Sequence, residues 1–198
     1  MLTWHDDLGY GHYPVKIEGR PYDSSYFDKY RKLADTPMGH ALTDLRVKLV
    51  DKYYHGVDIV DVGIGSGQFV KACKHAKGYD VNPAGIRWLE SEGLYVDMYA
   101  EQHDVMTFWD SLEHIDDITK AIEKVDCIAF VSLPIFTSES DVLGSKHFRP
   151  SEHIHYFTVS GIIRRFEKEG FVCLEYNQHE SNLGREGIGT FVFKRKPV

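Results

Sequence analysis

The chain has 198 residues, with 23 Lys and Arg against 30 Asp and Glu, which gives a formal net charge of −7. This length predicts one domain, and 42% hydrophobic with 27% charged residues exclude a disordered, collagen-like or coiled-coil chain. The acidic balance argues against general polyanion binding, which needs clustered Lys and Arg. Aromatic residues make up 13% of the chain, and aromatics beyond the needs of a core often line ligand pockets.

The cysteines and the N-terminus indicate the compartment. Cys73, Cys127 and Cys173 are widely separated and form no CxxC pair. This argues against a disulfide framework or a structural zinc site, and their apolar surroundings predict buried thiols. The first residues show no signal-peptide pattern, and no run of about 20 apolar residues predicts a membrane span. We therefore expect a soluble, cytoplasmic protein.

The predicted elements begin with an aromatic and Gly-rich arm over residues 1–22, either irregular or a short hairpin. Two helices follow between residues 23 and 54, with a break at 36–39. Strands and apolar-faced helices then alternate, which predicts a mostly parallel, doubly wound sheet. Strands are predicted at 57–62, 78–81, 94–98, 104–109, 126–131, 171–176 and 188–194. Helices are predicted at 67–75, 82–93, 115–123 and 158–169.

A glycine-rich loop follows the first of these strands. Gly63, Gly65 and Gly67 come after Asp61 and lead into a helix. Glycine permits positive φ and close approach of the backbone to a ligand, although a glycine-rich turn without a ligand is the alternative. The dinucleotide pattern GxGxxG would need glycine where this chain has Gln68, so the spacing favours a ligand without a pyrophosphate and disfavours a nicotinamide oxidoreductase.

Two further signals follow later strands. Asp80 ends the second strand, where an acidic side chain can accept hydrogen bonds from both ribose hydroxyls. Capping the next helix is the competing role, for which Asn82 is better placed. Glu113 and His114 follow the strand 104–109, at the edge where open α/β sheets bind ligands. Capping or solvating the next helix is the alternative for this pair, and local sequence alone favours it.

Taken together, these segments resemble the class I S-adenosylmethionine-dependent methyltransferases, and most closely their small-molecule branch with a DxGxGxG and LEH signature. The matching segments are 61–67, 79–83 and 104–114, with further likeness at 22–30 and 152–158. The resemblance implies a Rossmann-like α/β fold with a mostly parallel, seven-stranded doubly wound sheet, an antiparallel last strand and N-terminal helices. It also implies S-adenosyl-L-methionine as cofactor and S-adenosyl-L-homocysteine as product.

The resemblance further implies which residues bind this cofactor. The glycine loop would wrap the methionine part, an acid would hold the ribose, and aromatic side chains would lie near the methionine part or close over it. The implied set is Asp61, Gly63, Ile64, Gly65, Gly67, Asp80, Val81, Phe108, Trp109, Tyr22 and Tyr26. The family usually also has an acid at the adenine amine, and here Asp97, Glu101 or neither fills that role.

Histidines are the candidate catalytic bases, because an O or N acceptor can need to lose a proton and histidine titrates nearest to neutral pH. The candidates are His114, His153 and His155, and the last two would share a face of an extended segment. A surface or packing role is the alternative for each. Two such histidines also suit a metal ion, but we see no Cys or second carboxylate–His pair spaced to complete a site and expect no metal.

The expected division is an aromatic arm with helices over residues 1–55, acting as a lid within the same domain, and a cofactor-binding core over 56–198. The chain lacks the (N/D)PP(Y/F) turn and the Pro-Cys pair of DNA methyltransferases. We therefore expect methyl transfer to an O, N or C atom of a small molecule or a sugar- or lipid-linked acceptor, with no nucleic-acid partner. The alternatives are a nucleic-acid or protein methyltransferase, a binding protein without activity, and a nicotinamide oxidoreductase.

Overall fold

A computed structural model describes residues 1–14 and 22–197. The helices are α1 (Ser24–Ala34), α2 (Pro37–Tyr53), α3 (Gln68–Ala72), α4 (Pro83–Ser91), α5 (Ile118–Glu123), α6 (Glu139–Gly144) and α7 (Val159–Lys168). The strands are β1 (Thr3–His5), β2 (Tyr10–His12), β3 (Ile59–Val62), β4 (Ala76–Tyr79), β5 (His103–Trp109), β6 (Val125–Pro134), β7 (His155–Phe157), β8 (Phe171–Asn177) and β9 (Ile188–Arg195). Short 3-10 helices cover Leu112–His114 and His179–Leu183.

The main sheet has the strand order β4-β3-β5-β6-β9-β8. β3 pairs in parallel with β4 and β5, and β8 pairs with β9 in antiparallel fashion. The predicted mostly parallel α/β sheet with an antiparallel end is confirmed. The helix predicted at 158–169 is observed as α7. Thr158 caps its first turn by accepting a hydrogen bond from the Gly161 N–H, as its position before the helix predicts.

The strand predicted at 94–98 is absent from the sheet, because the described part of the chain contributes six strands to it. The predicted number of seven strands is therefore wrong. Tyr95 forms one isolated parallel bridge with Gly78, through the Val96 N–H and the Gly78 N–H. The Asp97 carboxylate then accepts a hydrogen bond from the Tyr99 N–H, 2.9 Å away, which turns the backbone away from the sheet. The apolar run is therefore too short to continue the ladder beyond Val96.

The chain divides into two compact units that do not follow chain order. The first unit comprises residues 1–20, 110–123 and 131–198, and the second comprises 21–109 and 124–130. The lid role expected for residues 1–55 stays a prediction, and residues 15–21 of the predicted arm lie outside the described residues.

The second unit contains β3, β4 and β5 with the helices α1 to α4. All four residues of β3 are buried, as its β-branched run predicts. Gln68, at the start of α3, accepts a hydrogen bond from the Thr43 hydroxyl at 2.7 Å and donates one to the Ala34 carbonyl at 3.0 Å. Gln68 stands where the dinucleotide pattern has its third glycine. Its side chain therefore joins α1 and α2 to α3, the helix after the glycine loop.

The first unit contains a three-stranded antiparallel sheet in the order β1-β2-β7, so the described part of the arm is a hairpin. Leu2 is buried in a cluster with Phe136, Val142 and Tyr156, which ties the hairpin to the rest of this unit. β7 and α6 were not among the elements predicted from the sequence.

None of the three cysteines forms a disulfide within the described residues. Cys73 is buried and Cys173 is half-buried, but Cys127 is exposed because it lies in the exposed first part of β6, so its predicted burial is wrong. Across the described ranges, no helix is both long and apolar enough to cross a bilayer.

Candidate active site

Asp61 is the penultimate residue of the buried strand β3, two residues before Gly63 of the glycine loop. Its Oδ1 accepts a hydrogen bond from the Thr107 hydroxyl at 2.7 Å, because the two residues are paired in the β3–β5 register. Burial raises the pKa of Asp61 to about 7, against the hydrogen bond from Thr107 and the charge of Arg46, which both lower it. A positively charged ligand group beside Asp61 would favour its ionised form.

The loop itself has the backbone conformation that requires glycine. The φ angles of Gly63, Gly65 and Gly67 are 78°, 55° and 76°. A Cβ atom at Gly67 would lie 2.2 Å from the ring of Trp88, whereas at Gly65 the nearest atom is in the Tyr30 ring, 3.7 Å away. Gly67 is thus needed for packing, and Gly65 leaves backbone accessible at the centre of the loop.

Three of the four apolar side chains predicted to contact the cofactor lie in the interior. The Ile64 side chain packs on β4, where a Cβ atom at Gly78 would come within 2.7 Å of it. Phe108 is fully buried, and Trp109 is 6% exposed, with the Arg46 guanidinium 4.9 Å above its ring. Their side chains position the loop and the end of β5, and their contact with a cofactor stays a prediction.

Asp80 follows β4, and its carboxylate is held by the next residues. Its Oδ1 accepts the Asn82 N–H at 2.7 Å, while the Asn82 Oδ1 caps α4 by accepting the Ala84 N–H at 2.9 Å. The expectation that Asn82 is the cap is confirmed. Burial raises the pKa of Asp80, against the backbone hydrogen bonds from Asn82 and Val81 that lower it. Val81 is 58% exposed, which suits the predicted packing on a flat ring.

Asp97 and Glu101, the two alternatives for the adenine amine, are both exposed. Asp97 already accepts a hydrogen bond within its own turn. Both alternatives therefore stay open.

Tyrosines line one side of α1 and the residues before it. The rings of Tyr22 and Tyr26 lie 5.3 Å apart and those of Tyr26 and Tyr30 lie 4.8 Å apart, measured between centroids. Tyr30 also approaches Gly65 of the loop. Tyr22 and Tyr26 belong to the predicted cofactor residues, and Tyr30, which was not predicted, joins them through the four-residue spacing on a helix. Arg46 was not predicted either, because the local sequence carries no motif for it.

In the first unit, Glu113, His114 and His153 come together. The rings of His114 and His153 are perpendicular, with 4.6 Å between their centroids. The His114 Nδ1–H donates to the Glu152 carbonyl at 3.0 Å, since a carbonyl can only accept. Burial raises the pKa of Glu113 well above its usual range and lowers the pKa of His153 to about 3, with a further lowering from the charges of His114 and Arg149.

His155 has different neighbours from His153, so the two predicted bases do not act as one pair. Its Nε2–H donates to the Ile115 carbonyl at 2.8 Å, and its Nδ1 accepts from the Tyr10 hydroxyl at 2.7 Å. Burial lowers the pKa of His155 to about 4. With both ring nitrogens hydrogen-bonded, His155 is suited to supporting β2 and β7.

An ion network that the sequence analysis missed begins at Asp110, directly after β5. Asp110 has a positive φ of 56°, an uncommon conformation outside glycine. Both Asp110 oxygens lie 2.9 Å from the guanidinium nitrogens of Arg185, which also binds the buried Glu180. Burial lowers the pKa of Arg185, but the two carboxylates raise it further and prevail. No local motif links residues so far apart in sequence.

The raised pKa of Asp61 makes stability depend on pH. An acid with a folded-state pKa of about 7 and an ordinary unfolded value favours folding below the unfolded pKa, and that contribution is lost as pH rises to about 7. Relative to Asp61→Asn, which keeps an acceptor for Thr107, the wild type should lose up to about 1.4 kcal/mol per pH unit across this window. Urea unfolding at several pH values measures this.

Asp51→Asn, at an exposed position of α2, is the control for this comparison and should follow the wild type. Parallel stability curves for the wild type and Asp61→Asn would show that Asp61 does not change its protonation on folding.

The comparisons with known proteins identify the family. A family model described as a methyltransferase domain matches residues 27–176. Among solved structures, the fold is similar to magnesium protoporphyrin IX methyltransferase from Synechocystis with bound S-adenosylhomocysteine, at 13% identity and a TM-score of 0.62, covering 88% of this chain and 96% of the other. None of the proteins with curated functions matches the sequence significantly.

Two further structures show the same fold. An S-adenosylmethionine-dependent methyltransferase from Clostridium acetobutylicum has 14% identity and a TM-score of 0.62, covering 87% of this chain and 98% of the other. The N-methyltransferase NodS from Bradyrhizobium japonicum, in complex with S-adenosylhomocysteine, has 13% identity and a TM-score of 0.58, covering 87% and 98%. The family and fold that the motifs predict are confirmed: the chain belongs to the methyltransferase domain family of class I S-adenosylmethionine-dependent enzymes.

Proposed function

We propose that the chain transfers a methyl group from S-adenosylmethionine to an O or N atom of a small-molecule or a sugar- or lipid-linked acceptor. The observation that supports this most is the order of groups in the second unit. A buried carboxyl group at Asp61 is followed by three glycines with positive φ, and the carboxylate of Asp80 follows the neighbouring strand. This order matches the methionine and ribose groups of the cofactor.

The residues present fit this cofactor on structural grounds. At Gly65 the loop backbone is accessible, and Val81 presents an exposed apolar surface beside Asp80. When bound, S-adenosylmethionine supplies a methyl group already activated by its positive sulfur. The chain would hold the methionine part on the glycine loop, accept the ribose hydroxyls at Asp80 and shield the loop with Tyr22, Tyr26 and Tyr30.

His114 and His153 are the candidate bases that would remove the proton of the acceptor. His155 is disfavoured because both of its ring nitrogens are engaged. If His114→Ala and His153→Ala both kept full turnover on the true acceptor, neither histidine would be needed. The net charge of −7 disfavours a nucleic-acid acceptor. The cytoplasmic location stays a prediction from the sequence.

Calorimetry tests the proposal against its alternatives. We expect binding of S-adenosylmethionine and S-adenosylhomocysteine, and no binding of NADH. Methyl transfer is then detected by incubating the protein with labelled S-adenosylmethionine and fractionated metabolite extract. Binding of NADH alone would show an oxidoreductase, and cofactor binding without transfer to any fraction would favour a binding protein without activity.

A further inference from the structure

We propose that Glu113, His114 and His153 bind a divalent transition-metal ion. A carboxylate oxygen and one nitrogen from each ring all lie within 4.8 Å of one another. Ligands about 2.1 Å from a tetrahedral ion are about 3.4 Å apart, so small side-chain rotations bring the three atoms into one coordination shell. One carboxylate with two imidazoles suits Zn²⁺, Mn²⁺ or Fe²⁺ and leaves coordination positions open.

Glu113 supplies an observation that points to a cation independently of this spacing. Its side chain is buried, with 2% exposure, and its Oε2 has no hydrogen-bond partner within residues 1–14 and 22–197. A buried carboxyl oxygen without a hydrogen-bond partner costs stability, and a bound cation would both supply a partner and favour the ionised form of Glu113. The backbone fixes its direction, because Glu113 lies in a 3-10 helix and its carbonyl accepts the Ile154 N–H at 2.8 Å.

The His114 ring has the hydrogen bond that metal-binding histidines usually have. Its Nδ1–H donates to the Glu152 carbonyl, so in the neutral ring Nε2 carries the lone pair. Histidine ligands almost always donate their second ring nitrogen to a carbonyl or carboxylate, which fixes the tautomer and the ring direction.

His153 completes the set from the other segment. It is 5% exposed, so its ring is held in the interior beside His114. Its backbone N–H donates to the Arg149 carbonyl at 2.8 Å, and the bond from Ile154 to Glu113 joins the two segments that carry the ligands. Glu113 and His114 are adjacent in sequence, and folding brings His153 to them.

If they bind an ion, His114 and His153 act as its ligands, and this role replaces the base role proposed for them above.

Metal binding can be measured without any acceptor. Metal-free protein, prepared with a chelator, is titrated with Zn²⁺ in a calorimeter and with Co²⁺ while visible absorption is recorded. We expect one ion per chain and a Co²⁺ spectrum of nitrogen and oxygen ligation. Glu113→Gln and His153→Gln should each weaken binding by more than the roughly 10–100-fold that loss of a supporting hydrogen bond costs. His179→Gln, at an exposed position of the same unit, is the matched control and should bind as the wild type.

Absence of binding by the wild type, or equal binding by the wild type and both ligand variants, would overturn the proposal. Circular dichroism checks folding, and where one variant does not fold, His114→Gln and the Co²⁺ spectrum of the wild type decide. Titration of the metal-free protein with S-adenosylmethionine separates the two proposals. Cofactor binding without metal binding overturns only the metal site, and metal binding without cofactor binding overturns only the proposed function.

Discussion

Replacing Asp80 with asparagine is expected to weaken S-adenosylmethionine binding about 100-fold while leaving the protein folded. The carboxylate would accept hydrogen bonds from the ribose, and hydrogen bonds to a charged group contribute about 1.5–3 kcal/mol each. Asparagine keeps one oxygen for the Asn82 N–H, so the turn before α4 is retained. Calorimetry on the variant and the wild type measures the difference in dissociation constant.

Asp28→Asn is the matched control, because Asp28 is exposed on α1 and the same charge is removed. Its affinity should equal that of the wild type. If Asp80→Asn bound the cofactor as tightly as the control, the ribose assignment of Asp80 would be wrong even if the protein proved to be a methyltransferase.

The largest effect on stability is expected for Arg185→Met. The variant leaves the carboxylates of Asp110 and Glu180 without their shared partner, and Glu180 is only 1% exposed. Removing one partner of a buried ion pair costs about 3–5 kcal/mol, because a charge is left uncompensated in the interior. Urea unfolding at neutral pH measures the loss of unfolding free energy.

A second substitution separates this cause from loss of packing. Adding Glu180→Gln to Arg185→Met removes one uncompensated charge and should restore part of the lost stability. Arg87→Met, at an exposed position of α4, should change the unfolding free energy little. A double variant no more stable than Arg185→Met would show that the guanidinium acts through packing instead.

Much of the fold follows from the sequence because long periodic segments determine it. The apolar runs of β3, β5 and β6 and the amphipathic pattern of α7 were all identified. The segment 94–98 looked like a strand by composition, but a side chain-to-backbone hydrogen bond at Asp97 ends its pairing after one bridge. The segment can either form a turn at Asp97 or continue to pair with the sheet. Three-dimensional contacts decide between the two, and the pattern of residue types along the sequence does not contain them.

The candidate site was predictable only where its residues lie close together in the sequence. The glycines and Asp80 belong to short motifs, and the positive φ angles of the three glycines agree with the loop that their spacing predicts. Arg185 beside Asp110, and His153 beside His114, are brought together by the folding of distant segments. No spacing rule encodes such pairs, and the buried environment that changes the pKa of His153 exists only in the folded chain.

The contact between Trp88 and the glycine loop gives the protein an internal optical probe. The Trp88 ring lies where a Cβ atom at Gly67 would be, with the Lys71 ammonium 5.2 Å from the ring centroid. The chain has three tryptophans, so its emission is simple enough to dissect. A change in the loop on ligand binding should alter the environment of Trp88, and Trp88→Phe identifies its share of the signal. Occupancy of the loop can then be followed by intrinsic fluorescence in stopped-flow experiments, without any label.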